Sequence, residues 1–129
     1  MKRKRIVLIA ISAGLLLVCG PLYAHHGGAE YDKTTSMSMK GSVTEFRFIN
    51  PHVLFQFDVK NDKGEVEHWQ GALSNPLQLT RQGWNRHTFK PGDEVTFIGN
   101  PAKGGIKSLW ITRIILPNGQ DAGQLHNNG

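Results

Sequence analysis

Apolar and polar residues alternate most regularly at 52–60, where "HVLFQFDVK" has an apolar side chain at every second position. Alternate residues of an extended chain point to opposite sides, so this pattern predicts a strand with one buried face. "NDKG" at 61–64 has the residues of a hairpin turn, and 65–73 is predicted to return as the next strand. A further strand is predicted in front, at 40–49. The residues expected to face inward are Val43, Phe46 or Phe48, Ile49, Val53, Phe55, Phe57 and Val59.

The alternation of apolar and polar residues stops in "NPLQLTRQGW" at 75–84. Asn75 suits a helix N-cap, Pro76 the first helical position and Gly83 the end, which predicts a helix of about two turns. Two more strands are predicted afterwards, within 90–102 and 107–119. The Pro and Gly of "KPGDEV" set a turn before the first of them. The apolar residues in these strands are Val95, Phe97, Ile98, Leu109, Ile111 and Ile114 or Ile115.

The order of these elements is three strands, one short helix and two strands. It predicts an all-β fold, a five-stranded Greek-key barrel of the OB type with the helix between strands 3 and 4. An irregular sandwich is the alternative. We expect the barrel domain to span 40–119, after a loose polar N-terminal arm at 25–39. The tail at 120–129 is rich in Gly, Gln and Asn and is expected to be disordered.

Residues 1–24 have the composition of a secretory signal peptide. A basic head, "KRKR", precedes an apolar stretch of roughly a dozen residues, and Ala24 suits the position before the cut. Cys19 raises the alternative of a lipoprotein signal, but Val18 stands where lipoprotein processing prefers a small residue. Cleavage after Ala24 removes the only cysteine, which excludes disulfides and thiol chemistry from the mature chain. The expected location is therefore the periplasm.

Removal of the signal peptide also changes the charge. The whole chain has 15 basic and 10 acidic residues, a net charge of +5, but four of the basic residues are in the signal peptide. The mature chain is thus close to neutral, and the basic balance does not indicate nucleic-acid binding. The apolar stretch of the signal is shorter than the roughly 20 residues that span a membrane, so no span is expected in the mature protein.

Several segments resemble a family of small exported Gram-negative proteins known only as a domain of unknown function. The similar segments are "HHG" after the signal, "KGSVTEFRFINPH", and "RQGW" followed by "KPGDEV". Because the family has no established function, the resemblance implies little about chemistry. Such proteins often have Ser after His-His, where this chain has Gly27 and Gly28. A role for a hydroxyl group at that place therefore does not transfer.

The histidines are the candidates for chemistry. After cleavage, His25 would carry a free α-amine beside its imidazole, and the two can chelate one metal ion. A distant imidazole would complete a three-nitrogen set, an arrangement that resembles the copper-binding histidine brace. Nitrogen ligands in such a geometry favour Cu(II). His52, which Pro51 stiffens, is the first candidate for the distant ligand, followed by His26 and His68.

Structural roles compete with each of these assignments. The histidines can be exposed or bonded to the backbone. The three tryptophans can pack in the core or offer a stacking surface; they are Trp69, Trp84 and Trp110. The cationic residues that flank Trp84 are a weaker candidate, as a rim that binds anions; they are Arg81, Arg86 and His87. The serines lie in no nucleophile motif, so we predict a binding protein and not an enzyme. Two hypotheses remain, a metal-binding protein and a metal-free accessory domain that docks on a periplasmic or envelope partner.

Overall fold

Five extended segments with apolar residues at alternate positions close on themselves in the computed structural model, which describes residues 30–123. One short helix lies between the third and fourth strands. The predicted order of elements is therefore confirmed. The elements are β1 (Met37–Arg47), β2 (Val53–Lys60), β3 (Val66–Leu73), α1 (Pro76–Arg81), β4 (Glu94–Pro101) and β5 (Ser108–Ile115).

The strands form a closed barrel in the order β1-β2-β3-β5-β4, with β4 pairing back to β1. Four of the pairings are antiparallel, and β3 runs parallel to β5. This five-stranded Greek-key order, with a helix between β3 and β4, is that of the OB fold. Extra residues at Thr44 in β1 and Thr112 in β5 bulge out of the pairing and help the strands to curve.

Phenylalanine side chains fill the middle of the barrel. Phe57 and Phe97 stack with their ring centroids 3.9 Å apart, and Phe55 meets Phe97 edge-on. Gly41 gives this stack its room, because a Cβ there would come within 2.9 Å of the Phe57 ring. Most inward predictions are confirmed, but Ile49 is 39% exposed because the chain leaves β1 before it. The confirmed buried residues are Val43, Val53, Phe55, Phe57, Val95, Phe97, Leu109, Ile111 and Ile114.

The helix and the loop after it close one end of the barrel. Asn75 caps α1 by accepting a hydrogen bond from the Gln78 amide, as its position predicted. The helix ends at Arg81, slightly earlier than expected, and the chain then turns through Gly83. Trp84 is buried and its Nε1 donates to the Ala122 carbonyl at 3.2 Å.

Both predicted boundaries of the barrel domain need correction. β1 begins at Met37, before the expected start at Lys40, and it pairs with β4 from its first residue. At the other end, the predicted tail continues into the fold as far as the buried Ala122. The start of β1 pairs with the distant strand β4, and the Ala122 carbonyl accepts a hydrogen bond from the distant Trp84 indole, which the local alternation of residues does not reveal. Residues 1–29 and 124–129, including the predicted signal peptide, lie outside the described residues.

Within residues 30–123, no helix combines the length and the apolarity needed to cross a membrane.

Candidate functional site: an aromatic groove on the barrel wall

An open groove of about 820 Å³ crosses the outer wall of the barrel. Its floor is a row of directly paired residues on four strands. These residues alternate with buried ones, so their side chains point away from the core. Ala72 has the shortest side chain of this row and lies between Leu54 and Trp110. The row runs Leu54, Ala72, Trp110 and Asn100.

Three aromatic rings lie together in this groove, which we call the aromatic groove. The His52 ring meets Trp110 edge-on, with centroids 5.3 Å apart and an interplanar angle of 89°. Tyr31 approaches the same indole at 6.0 Å. The His52 and Tyr31 rings therefore lie within roughly 11 Å of each other. His52 follows a cis Asn50–Pro51 peptide bond, directly precedes β2 and is exposed.

Glu30 and Tyr31, the first two residues that the structure describes, are held along the edge of this groove by several contacts. Tyr31 forms a β-bridge with Ala102, and its hydroxyl is hydrogen-bonded to that of the buried Ser108 at 3.1 Å. The Lys103 amide donates to the Glu30 carbonyl, and the Lys103 ammonium lies 2.6 Å from the Glu30 carboxylate. That hydrogen bond raises the pKa of Lys103. The chain thus enters the barrel at the groove itself.

A carboxylate that is ionised at neutral pH lines the margin of the aromatic groove. Asp32 accepts hydrogen bonds from the Thr34 hydroxyl at 2.6 Å, the Thr35 hydroxyl at 2.7 Å and the Thr34 amide at 2.9 Å. These bonds favour the ionised form and lower the pKa of Asp32 to about 2. The groove therefore keeps this negative charge throughout the physiological range of pH.

The Asp32 cluster gives a testable prediction. Replacing both Thr34 and Thr35 with alanine should raise the pKa of Asp32 toward its ordinary value of 3.8, because the hydroxyl donors are lost. The carboxyl pKa can be followed by NMR during a pH titration. The depressed pKa stabilises the fold above pH 3.8, and that contribution disappears as the pH falls through about 2. Thr44→Ala, at an exposed threonine of β1, is the control. An ordinary Asp32 pKa in the unmodified protein would contradict the assignment.

A smaller recess adjoins the aromatic groove across β2 and β3. The two share Tyr31, Leu54 and Ala72 in their linings. The recess measures about 40 Å³, and polar side chains from three neighbouring strands and Ser108 line it. The polar strand residues are Arg47, Gln56 and Gln70.

Comparison with known proteins identifies the family of this chain. The family model described as "Family of unknown function (DUF6152)" matches residues 13–109. The chain belongs to the DUF6152 family. The matched segment begins inside the predicted signal peptide and ends in β5, so it includes all four predicted metal ligands. No curated protein matches the chain significantly.

Solved structures similar to this DUF6152 protein have low sequence identity to it. One is the crystal structure of the ZRD-deleted mutant of TiaS in complex with agmatine, with a TM-score of 0.48 and 23% identity. That alignment covers 66% of this chain but only 22% of the TiaS chain. Another is the N-terminal domain of PriB from Thermoanaerobacter tencongensis, with a TM-score of 0.41 and 17% identity, covering 64% of this chain and 94% of that one.

The predicted metal ligands are not all in one place. His68 lies on β3 with its Nδ1 2.6 Å from the Asp58 carboxylate on β2. Asp58, the residue paired with His68, is six positions after His52, which separates the two histidines by roughly 20 Å along the hairpin at about 3.3 Å per position. His25 and His26 lie outside the described residues. In the described part of the chain, no three His, Cys, Asp or Glu side chains are grouped to hold a metal. His68 is therefore not a partner for His52 within this DUF6152 fold.

The tryptophans and the cationic residues near Trp84 also lie in different parts of the structure. Trp84 is buried and Trp69 packs against the core, so of the three tryptophans Trp110 is the one that lines the aromatic groove. Arg86 donates to its neighbour His87 at 3.1 Å, and both are exposed. Sequence reasoning missed Tyr31, which it assigned to a loose arm. Nothing in the local pattern marks that residue, since its contacts lie far along the chain.

Proposed function

We propose that this chain is an exported, periplasmic binding protein that holds a transition metal ion in the aromatic groove, with Cu(II) favoured. The proposed ligands are the α-amine and imidazole of His25, after cleavage behind Ala24, and the imidazole of His52. One observation carries the proposal: the first described residues, Glu30 and Tyr31, line the same groove as His52.

The length of the chain is sufficient for this contact. Glu30 is five positions after His25, and an extended chain spans up to about 3.3–3.6 Å per position, or roughly 17 Å in all. The His52 ring is within roughly 11 Å of the Tyr31 ring. The mature N-terminus is therefore within reach of His52, and His26 follows as an additional donor.

The donor chemistry favours Cu(II) over other divalent ions. An α-amine has a pKa near 7.7–8.0, so a metal ion displaces its proton at neutral pH. Amine and imidazole nitrogens suit the tetragonal geometry of Cu(II), which also binds most tightly of the divalent first-row ions. Contact with Trp110 restricts the His52 ring. We propose metal handling or delivery and not turnover, since no nucleophile motif accompanies these histidines.

The test uses the exported, mature protein. Its intact mass should begin at His25, and titration should give one tightly held Cu(II) per chain, with Zn(II) held less tightly. His52→Ala should weaken Cu(II) binding at least about 100-fold, because losing a direct ligand costs more than losing a group that only orients one. An added Ser before His25 should weaken it similarly, since the amine then belongs to another residue.

His68→Ala is the matched control, because it removes an exposed histidine that lies elsewhere on the hairpin. It should leave Cu(II) affinity unchanged. Equal affinity in the unmodified protein and in His52→Ala would mean that only the N-terminal peptide binds copper. That result, or a mature chain beginning elsewhere, would refute the site. It would leave the alternative of a metal-free domain that docks on a periplasmic or envelope partner.

A further inference from the structure

The recess beside the aromatic groove has the lining of an anion site. Gln56 and Gln70 are directly paired across β2 and β3, and Gln70 is paired with Ser108 of β5. Arg47 lines the recess from β1, and the hydroxyl of Tyr31 reaches Ser108 from the other side. Among the described residues no Asp or Glu lines this recess, so its formal charge is that of the arginine.

The Arg47 guanidinium has hydrogen-bond donors that its ion pair with Glu45 does not use. Its ion pair with Glu45 uses Nε at 3.5 Å, and both side chains are about half exposed. Such a surface pair is weak. The guanidinium carries four further N–H donors on its terminal nitrogens, in a planar arrangement that matches the two oxygens of a carboxylate.

The size of the recess restricts the ligand. Its volume is about 40 Å³. One water-sized sphere needs roughly 10–15 Å³, so about three heavy atoms fit, which is the size of a carboxylate group. Tyr31, Leu54 and Ala72 line both the recess and the adjoining aromatic groove, whose volume of about 820 Å³ leaves room for a flat ring.

We infer that this face of the barrel binds a small aromatic carboxylate. The carboxylate enters the recess at Arg47, where the amides of Gln56 and Gln70 donate to it. The ring lies on the apolar floor formed by Leu54 and Ala72, toward Trp110. This site uses none of the proposed copper ligands, so it stands or fails separately from metal binding.

The test measures binding of three probes to the mature, metal-free protein by calorimetry and by the fluorescence of its tryptophans. Benzoate has both the charge and the ring, benzamide lacks the charge, and acetate lacks the ring. Benzoate should bind, and benzamide and acetate should each bind at least about tenfold more weakly, since a charge-assisted hydrogen bond or a buried ring is lost.

Variants assign the site to Arg47. Arg47→Gln should weaken benzoate at least about tenfold, while Arg86→Gln, which alters another exposed arginine, should leave it unchanged. His52→Ala should retain benzoate even though it loses Cu(II), which separates this inference from the metal site. Absence of benzoate binding up to roughly 10 mM, a weak affinity of about 3 kcal/mol, would overturn the inference. Equal binding of benzoate and benzamide, or unchanged binding by Arg47→Gln, would do so as well.

Discussion

Replacing Phe97 with alanine is expected to lower the free energy of unfolding by about 3–5 kcal/mol, because it leaves a large cavity in the centre of the barrel. Phe97 is completely buried, stacks on Phe57 at 3.9 Å and meets Phe55 edge-on at 5.4 Å. Its backbone pairs with both β1 and β5, so the surrounding strands have little freedom to collapse into the space. A loss of this size is a large fraction of the roughly 5–15 kcal/mol that stabilises a typical domain.

Urea unfolding followed by circular dichroism measures this loss. Ile106→Ala is the control, because it also shortens an apolar side chain but at a position that is 55% exposed. A surface change of this kind should stay within about 0.5 kcal/mol. A similar, small effect from both substitutions would show that the Phe57–Phe97 stack is not the centre of the core.

The second large effect is expected at Gly99. Replacing it with alanine should lower the free energy of unfolding by at least about 3 kcal/mol, the upper part of the range for overpacking. A Cβ at this position would lie 2.1 Å from the Trp110 carbonyl oxygen and 3.0 Å from the Ile111 Cα. These are backbone atoms of the paired strand, so no side chain can turn aside to relieve the clash. The pairing of β4 and β5 must shift at this point, which is already irregular beside Thr112.

The same substitution should also impair the aromatic groove, because the displaced backbone is that of Trp110. Urea unfolding gives the stability, and the Cu(II) and benzoate titrations give the state of the groove. Gly64→Ala separates a clash from the loss of backbone freedom. Gly64 has a φ of +78° but open space around its Cβ, so alanine there should cost only about 1–2 kcal/mol and leave both ligands bound. If Gly99→Ala lowers the free energy of unfolding no more than Gly64→Ala does, then β4 and β5 do not approach each other closely at Gly99.

Local patterns in the sequence were sufficient for the framework of the fold. The alternation around Phe55 and Phe57 identified β2, and the turn at 61–64 joined it to β3. Asn75 and Pro76 located the start of the helix because capping acts within one turn. These signals connect residues close in the chain, and their order was enough to predict an OB barrel.

The closure of the barrel determined which of the candidate residues meet. Tyr31 and Ala122 were assigned to segments outside the domain, yet one lines the aromatic groove and the other is completely buried. Their polar neighbours show no alternation, and the contacts that hold the two residues come from far along the chain: Tyr31 bridges Ala102, and the Trp84 indole donates to the Ala122 carbonyl. His52 was selected from the sequence, but its contact with Trp110 depends on the placement of β5 beside β3.

The sequence by itself thus determined the strands, the helix and the candidate histidines of this protein. The tertiary structure alone separated His68 from His52 and joined Arg47 to the polar recess. The physical reason is the range of the interactions. Alternation and capping act over a few residues, whereas a site on a barrel wall depends on strand order and register, where one bulge changes which side chains are neighbours.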